Sequence, residues 1–370
     1  MKFYATCKLG LESLVTRQLR DLDIEVLETE DARVSFSGGA ADMARALLWL
    51  RTAERVLLVV GEFEAETFDS LFEQTKELNW KKFLKPETNI HVNGKSAKST
   101  LFSVSDCQSI VKKAIIESLK AGCKRTTIPE GGEEIIVEVG ILRNKVSLCL
   151  DCCGAGLSRR GYRTFNVAAP LAETLGAAIV MLSRYRADLP LIDPMCGSGT
   201  MPIEAAMIAQ NIAPGLNRSF AAESWWFFDK AIWAEERNRA QEQRTNQKIM
   251  ISGFDIDPRS IDLCKMHAKK AGVFCDWGVR DIRDFSASES SGVIVCNPPY
   301  GERMLSEKDV KELYRQMRRV FAPYPGWSVN IFSGMREFET VYGKRADKRR
   351  KLTNGGMPCT LYQYFGVKDL

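Results

Sequence analysis

Histidine is nearly absent from this 370-residue chain, which holds two, His91 and His267. Neither stands at zinc-ligand spacing from the Cys149-Leu150-Asp151-Cys152-Cys153 run, and a closed zinc site takes four nitrogen or sulfur ligands. The run is read instead as alternation on a strand that ends in a loop, and no metal is expected. Thirteen prolines and 27 glycines are too few for a low-complexity or collagen-like chain. Long apolar runs are missing: stretches such as 177–182 and 56–60 fall far below a membrane span. The start, Met1-Lys2-Phe3-Tyr4, reaches polar residues too soon for an export signal. Eleven cysteines, an odd number, sit in apolar stretches rather than in a disulfide framework. These absences predict a soluble protein of a reducing cytoplasm, with no membrane partner.

What is present is ordinary globular composition, 45% hydrophobic and 27% charged. The length predicts roughly two or three domains at about 100–200 residues each. Fifty-two Lys and Arg against 47 Asp and Glu leave a net charge of +5, which permits an anionic partner without requiring one.

Periodicity divides the chain. Strands at 2–7, 24–27 and 33–36 with helices at 11–22 and 40–51 predict a small α+β unit. Strands at 55–63, 89–94, 134–142 and 145–151 with helices at 68–77 and 107–121 repeat the theme, the last two strands joined by an Arg143-Asn144 hairpin. The Gly- and Arg-rich segment 152–163 has no period and marks a boundary. Beyond it, helices (170–184, 201–211, 258–271, 307–321) alternate with strands (189–193, 250–255, 274–278, 292–296, 327–332), the pattern of a doubly wound, mostly parallel sheet.

Three motifs carry chemistry. In Leu191-Ile192-Asp193-Pro194-Met195-Cys196-Gly197-Ser198-Gly199-Thr200 a strand ends in a glycine loop that opens a helix, where ligands of open α/β sheets bind. The loop lacks both the Gly-Lys-Ser/Thr ending of nucleotide hydrolases and the G-x-G-x-x-G of dinucleotide sites. An acidic residue ahead of the glycines suits a cationic, phosphate-free ligand; taken alone, the loop also fits a bare turn. Asp255, ending the next strand, is placed for ribose hydroxyls, and Asp281 for an adenine amine. Each singly also reads as a loop residue or helix cap. Third, an apolar strand runs into Asn297-Pro298-Pro299-Tyr300. The prolines fix φ and withhold donors, leaving the Asn297 side-chain oxygen and the Pro298 carbonyl as acceptors for an exocyclic amine, with the Tyr300 face for stacking.

Segments 193–200 and 297–300, with Asp255 and Asp281, resemble the S-adenosylmethionine and target-amine motifs of class I amino-methyltransferases. Gly161-Tyr162-Arg163 with Ala169-Pro170-Leu171-Ala172-Glu173-Thr174-Leu175 resembles the segment ahead of that fold in THUMP-domain RNA guanine-N2 methyltransferases. Segments 94–99 and 108–113 resemble a THUMP domain behind a ferredoxin-like unit, and 213–217 resembles the bacterial 23S rRNA enzymes. The resemblance spans nearly the whole chain. It implies an α/β fold: a class I (Rossmann-like) doubly wound methyltransferase sheet at 167–370, a linker at 156–166, a THUMP domain at 45–155 and a ferredoxin-like unit at 1–44. It also implies S-adenosylmethionine held by Asp193, Pro194, Cys196, Gly197, Ser198, Gly199, Thr200, Asp255, Ile256, Asp281, Ile282 and Asn297. Catalysis would fall to Asn297, Pro298, Pro299 and Tyr300, acting on a flipped guanine by in-line displacement with later proton loss to solvent.

A basic run at 344–351, including Lys348, Arg349 and Arg350, is read as a tail neutralising RNA phosphates, though such runs are usually solvated surface. Lys95, Lys98, Lys112, Lys113, Lys124 and Arg125 form a looser set, and Arg159, Arg160 and Arg163 sit at the hinge, to touch RNA or to bridge domains. The aromatic run 225–228 is read as a helical packing patch. The expected substrate is 23S rRNA or its assembly intermediate. Alternatives are tRNA guanine N2, DNA adenine N6, and a non-catalytic ribosome-assembly factor.

Overall fold

The computed structural model describes residues 1–123, 131–163, 171–300 and 306–367, with side chains at 122 and 123 left aside. Lys124, Arg125, Ala169, Pro170 and the end of the expected linker (164–166) lie outside the described residues.

The N-terminal half runs β1 (Lys2–Cys7), α1 (Glu12–Asp21), β2 (Glu25–Glu30), β3 (Arg33–Ser37), α2 (Ala40–Trp49), β4 (Ala53–Glu64), α3 (Phe68–Glu77), β5 (Asn89–Ala97), α4 (Val104–Cys123), β6 (Glu134–Leu142) and β7 (Lys145–Asp151). Its strands form one sheet in the order β2-β3-β1-β4-β7-β6-β5. The long β4 pairs with β1 through its first half and with β7 through its second. The two expected N-terminal units therefore share a sheet, and the expected 44/45 boundary falls inside α2.

The second half runs α5 (Glu173–Leu182), β8 (Leu191–Asp193), α6 (Thr200–Ala209), α7 (Ala231–Glu242), β9 (Ile251–Asp255), α8 (Pro258–Ala271), β10 (Asp276–Val279), β11 (Gly292–Cys296), α9 (Glu307–Phe321), β12 (Trp327–Ser333), α10 (Phe338–Tyr342), β13 (Lys348–Asn354) and β14 (Met357–Tyr364). The sheet order is β10-β9-β8-β11-β12-β14-β13. Pairs among the first five strands are parallel, while β14 runs antiparallel to both neighbours.

Local chemistry explains these elements. Strand β11 is buried along its whole length, as a central parallel strand covered on both faces must be. Helix α9 buries Val310, Tyr314, Met317 and Phe321 on one stripe, and Ser306 caps it by accepting from the Asp309 N–H at 3.2 Å. Helix α8 starts with Asp257 as cap and Pro258 in its first turn, and ends at the left-handed Gly272.

The basic run 344–351 is not a tail. Lys348 to Lys351 lie on the edge strand β13, paired residue by residue with β14. Residues 225–228 are not helical either. They form a loop cluster in which the Trp225, Phe227 and Phe228 rings pack together, Phe227 meets Phe83 edge-on, and Trp226 Nε1 donates to the Phe83 carbonyl at 3.2 Å. Phe83 lies in the N-terminal half, so the patch joins the two halves of the chain. No described helix is long and apolar enough to cross a membrane.

Candidate active site

Strands β10, β9, β8 and β11 are neighbours in the sheet, and each delivers one polar group at its carboxyl end. Asp281 follows β10, Asp255 ends β9, Asp193 ends β8 and Asn297 follows β11. The chain crosses from one side of β8 to the other here, which opens a crevice above the strand ends. The four expected polar positions are thus brought to one edge.

Asp193 is 1% exposed. Its Oδ1 accepts from the Met195 N–H at 3.2 Å, while Oδ2 is buried without a partner among the described residues. Burial holds this carboxyl well above the usual aspartate range, and the charge of Asp255 adds to the rise. Such a group demands a donor or cation.

The loop that follows is left-handed at Gly197 (φ 53°) and Gly199 (φ 82°), where a side chain is strained. A Cβ at Gly199 would lie 2.9 Å from Trp277 Cη2 and 3.0 Å from Cys264 Sγ, whereas at Gly197 it would meet open space. The first glycine thus leaves room for a ligand, and the second lets α6 close on α8. Pro194, Cys196, Ser198 and Thr200 are buried beneath the loop. Cys196 Sγ lies 3.7 Å from Cys264 Sγ, and the Ser198 carbonyl is 3.1 Å from His267 Nδ1.

Asp255 braces the loop. Its Oδ2 accepts from the Gly197 N–H at 2.9 Å and its Oδ1 from the Asp257 N–H at 3.0 Å, which leaves lone pairs free on both oxygens. Ile256 beside it is 67% exposed, a large apolar side chain presented at the mouth. Asp281 caps a short turn, accepting from the Arg283 N–H at 2.8 Å and its Nη2 at 2.7 Å; that pairing holds its carboxyl below the usual range. Ile282 is buried under the turn.

At β11 the Asn297 Oδ1 is buried without a partner among the described residues. The loop after it is pinned: Tyr314 Oη donates to the Pro299 carbonyl at 3.1 Å and lies 2.9 Å from Ser333 Oγ. Tyr300 Oη accepts from Asn354 Nδ2 at 2.9 Å. Burial pushes the Tyr300 hydroxyl up to about 12, so it stays neutral at physiological pH and cannot serve as the proton acceptor. Pro298 is buried and Pro299 half-buried. Tyr314, Ser333, Gly334 and Asn354 escape sequence reasoning. Asn354-Gly355-Gly356 is a hairpin turn pattern that could have located the last of them.

The expected RNA contacts divide. Lys95, Lys98, Lys113, Arg159, Lys348 and Arg349 are exposed, and Lys112 half-buried. Lys113 lies over the Phe72 ring, and Arg349 pairs with Glu339 at 2.8 Å. Arg350 donates to the Gly10 carbonyl at 3.0 Å, tying the edge strand to the N-terminal half. For two hinge arginines the structure shows bonds within the protein, the second of the two expected roles. Arg160 is 3% exposed, donating to Glu204 Oε1 at 3.4 Å, to the Leu157 carbonyl at 2.8 Å and to the Arg51 carbonyl. Arg163 donates to Thr200 Oγ1 at 2.6 Å and to the Leu171 carbonyl at 3.0 Å, and pairs with Glu173 at 3.6 Å. Both bridge the protein's own parts, and Arg160 presents no surface to a phosphate.

Fold and site define a doubly wound α/β domain with a row of polar groups at the carboxyl ends of four neighbouring strands. The chain belongs to the RMKL-like methyltransferases, whose domain model matches residues 160–363, behind an RlmL ferredoxin-like domain at 2–57 and a THUMP domain at 65–151. It is 43% identical to the putative RNA methyltransferase YpsC of Bacillus subtilis, over 98% of this chain and 95% of that protein. It is 35% identical to the ribosomal RNA large subunit methyltransferase K/L of Vibrio parahaemolyticus, over 98% of this chain and 53% of that protein, and so spans about half of the K/L enzyme. The crystal structure of SMU.472, a putative methyltransferase complexed with SAH, superposes with a TM-score of 0.94 at 40% identity, covering 100% of this chain and 99% of that one.

Proposed function

We propose that the protein methylates the exocyclic N2 amine of a guanosine in RNA, most naturally 23S rRNA or its assembly intermediate in the cytoplasm, with S-adenosylmethionine as donor. The observation that carries the reading is that Asn297 Oδ1 and Asp193 Oδ2, at the carboxyl ends of the paired strands β11 and β8, are both buried without a partner among the described residues. One is an acceptor waiting for an amine hydrogen, the other for a cation.

The residues fit the donor. Asp193 would take its ammonium, the 197–199 loop its methionine part, Asp255 its ribose, and Asp281, Ile282 and Ile256 its adenine. When bound, it supplies an electrophilic methyl on a sulfonium. The protein's own work is to accept both amine hydrogens at Asn297 Oδ1 and the Pro298 carbonyl, which aims the nitrogen lone pair and stabilises the charge that develops on it. Tyr300 offers its face to the flipped base, and its neutral hydroxyl leaves the amine proton to solvent. RNA phosphates would meet the exposed cations of the THUMP unit, Arg159 and the β13 edge.

Mass-spectrometric mapping of nucleosides in 23S rRNA, tRNA and DNA from a deletion strain tests the assignment. Loss of one N2-methylguanosine from 23S rRNA is expected, with tRNA and DNA unchanged. Loss of N6-methyladenine instead would overturn it. In vitro, Asn297→Ala is expected to abolish transfer while lowering donor affinity by no more than about tenfold, the most that losing one neutral hydrogen bond to the donor would cost.

A further inference from the structure

Tyr300 is held by residues of the far C-terminal hairpin. Asn354 Nδ2 donates to its hydroxyl at 2.9 Å, and Cys359 Sγ lies 3.8 Å from the same oxygen. The ring lies against the backbone at Gly334, where a Cβ would come within 3.0 Å of Tyr300 Cδ2 and 3.1 Å of Met357 Sδ. Asn354 and Met357 flank the two-glycine turn as a register pair of β13 and β14, with Gly355 and Gly356 both left-handed. The turn places an amide at the hydroxyl end of the ring, and Gly334 brings backbone against the Cδ2–Cε2 side of it.

We propose that Asn354 is the positioning residue that sets the plane of the Tyr300 ring, and so the plane in which the flipped base must lie to present its amine to Asn297. The proposal rests on the reading of Tyr300 as the base platform. Asn354 touches neither base nor donor and acts through one hydrogen bond. Removing it leaves the ring able to turn, and a base stacked on a turned ring carries its amine away from Asn297 Oδ1. Methyl transfer slows while the donor site, built on other strands, is untouched. Gly334 serves the same end by keeping the space behind the ring empty of side chain.

Two measurements test this. The first needs no substrate. In protein labelled with 3-fluorotyrosine, the Tyr300 fluorine resonance, assigned by its loss in Tyr300→Phe, is expected to shift in Asn354→Ala while the other tyrosine resonances stay put. An unmoved resonance overturns the proposal. The second is kinetic: Asn354→Ala is expected to lower kcat roughly 10- to 100-fold, with the Kd for S-adenosylmethionine unchanged and Asn354→Asp, which can accept from the tyrosine hydroxyl, restoring most of the rate. In a Tyr300→Phe background the same alanine should cost nothing further. An equal loss in both backgrounds, or a loss accompanied by weakened donor binding, overturns the proposal. Should the wild-type protein methylate no RNA at all, the proposed function fails, and the fluorine spectra still decide the role of Asn354.

Discussion

At the scale of single residues, Asp193 carries the sharpest consequence. Its carboxyl has one backbone donor and one oxygen orphaned among the described residues, and burial raises its pKa in the folded state. A group so raised favours the protonated folded form. The stability this confers is complete below the ordinary aspartate value and is lost as pH rises through the folded value. A cation placed against the orphaned oxygen acts in the opposite direction and drives the proton off. Below the pH at which the unliganded carboxyl ionises, donor binding should therefore release a proton, and affinity should rise with pH until that carboxyl is already ionised. Titration calorimetry in buffers of different ionisation enthalpy is expected to find that proton in the wild type and none in Asp193→Asn. Affinity should fall by about 1.5–3 kcal/mol in the variant, the worth of a hydrogen bond to a charged group. Proton release persisting in the variant would assign the cation to another carboxylate. The same substitution replaces a costly buried acid with a neutral isostere, so the unliganded variant should melt no lower than the wild type at pH 8.

Elements fix where those residues stand, and the close pairing of β9 with β10 shows how tightly. Gly253 faces Trp277 in register, and a Cβ at Gly253 would fall 2.3 Å from Trp277 Cζ3. Gly253→Ala is expected to cost about 1–3 kcal/mol in urea denaturation, the range for overpacking, and Trp277→Leu in the same chain should recover most of it. Failure of the second change to relieve the first would locate the strain elsewhere. The alternation of helix and strand around these elements was legible because each buries a periodic apolar face. The C-terminal hairpin was not. Along β13 only Leu352 is buried, since an edge strand can keep charged side chains in water, and so its charges concealed its secondary structure. The carboxylates of the site were legible for a related reason: each stands at or just after the carboxyl end of a strand, and strand ends converge in a parallel sheet. The contact that holds Tyr300 joins residues 54 positions apart, and no spacing rule reaches that far.

At the scale of the whole molecule, the two sheets are joined through buried charge. Arg51, which burial pulls down to about 10, donates to the Ile212 carbonyl at 2.8 Å, and the Arg51 carbonyl takes a hydrogen bond from Arg160. Arg160 in turn meets Glu204, which also accepts from Tyr162 Oη at 3.2 Å. Glu204 lies on α6, the helix opened by the glycine loop, so the lock that fastens the N-terminal half ends one turn from the donor site. Arg160 comes from a hinge whose sequence fits RNA contact equally well, and a salt titration separates the two roles. Arg160→Ala takes the ion-pair partner from the buried Glu204 and leaves it the Tyr162 hydroxyl, which costs up to about 3–5 kcal/mol, yet removes no phosphate contact. It should lower the melting temperature while leaving the slope of log K against log salt for RNA binding unchanged. Lys348→Ala, on the exposed edge strand, should do the reverse: its melting temperature stays near that of the wild type, and the slope falls by roughly 0.7–0.9, the release of about one counterion. A slope that falls for Arg160→Ala at a temperature where the variant remains folded would return that arginine to the RNA surface. If instead the slope holds for Lys348→Ala, the edge strand lies outside the RNA footprint, and the path of the RNA must be sought over the THUMP cations alone.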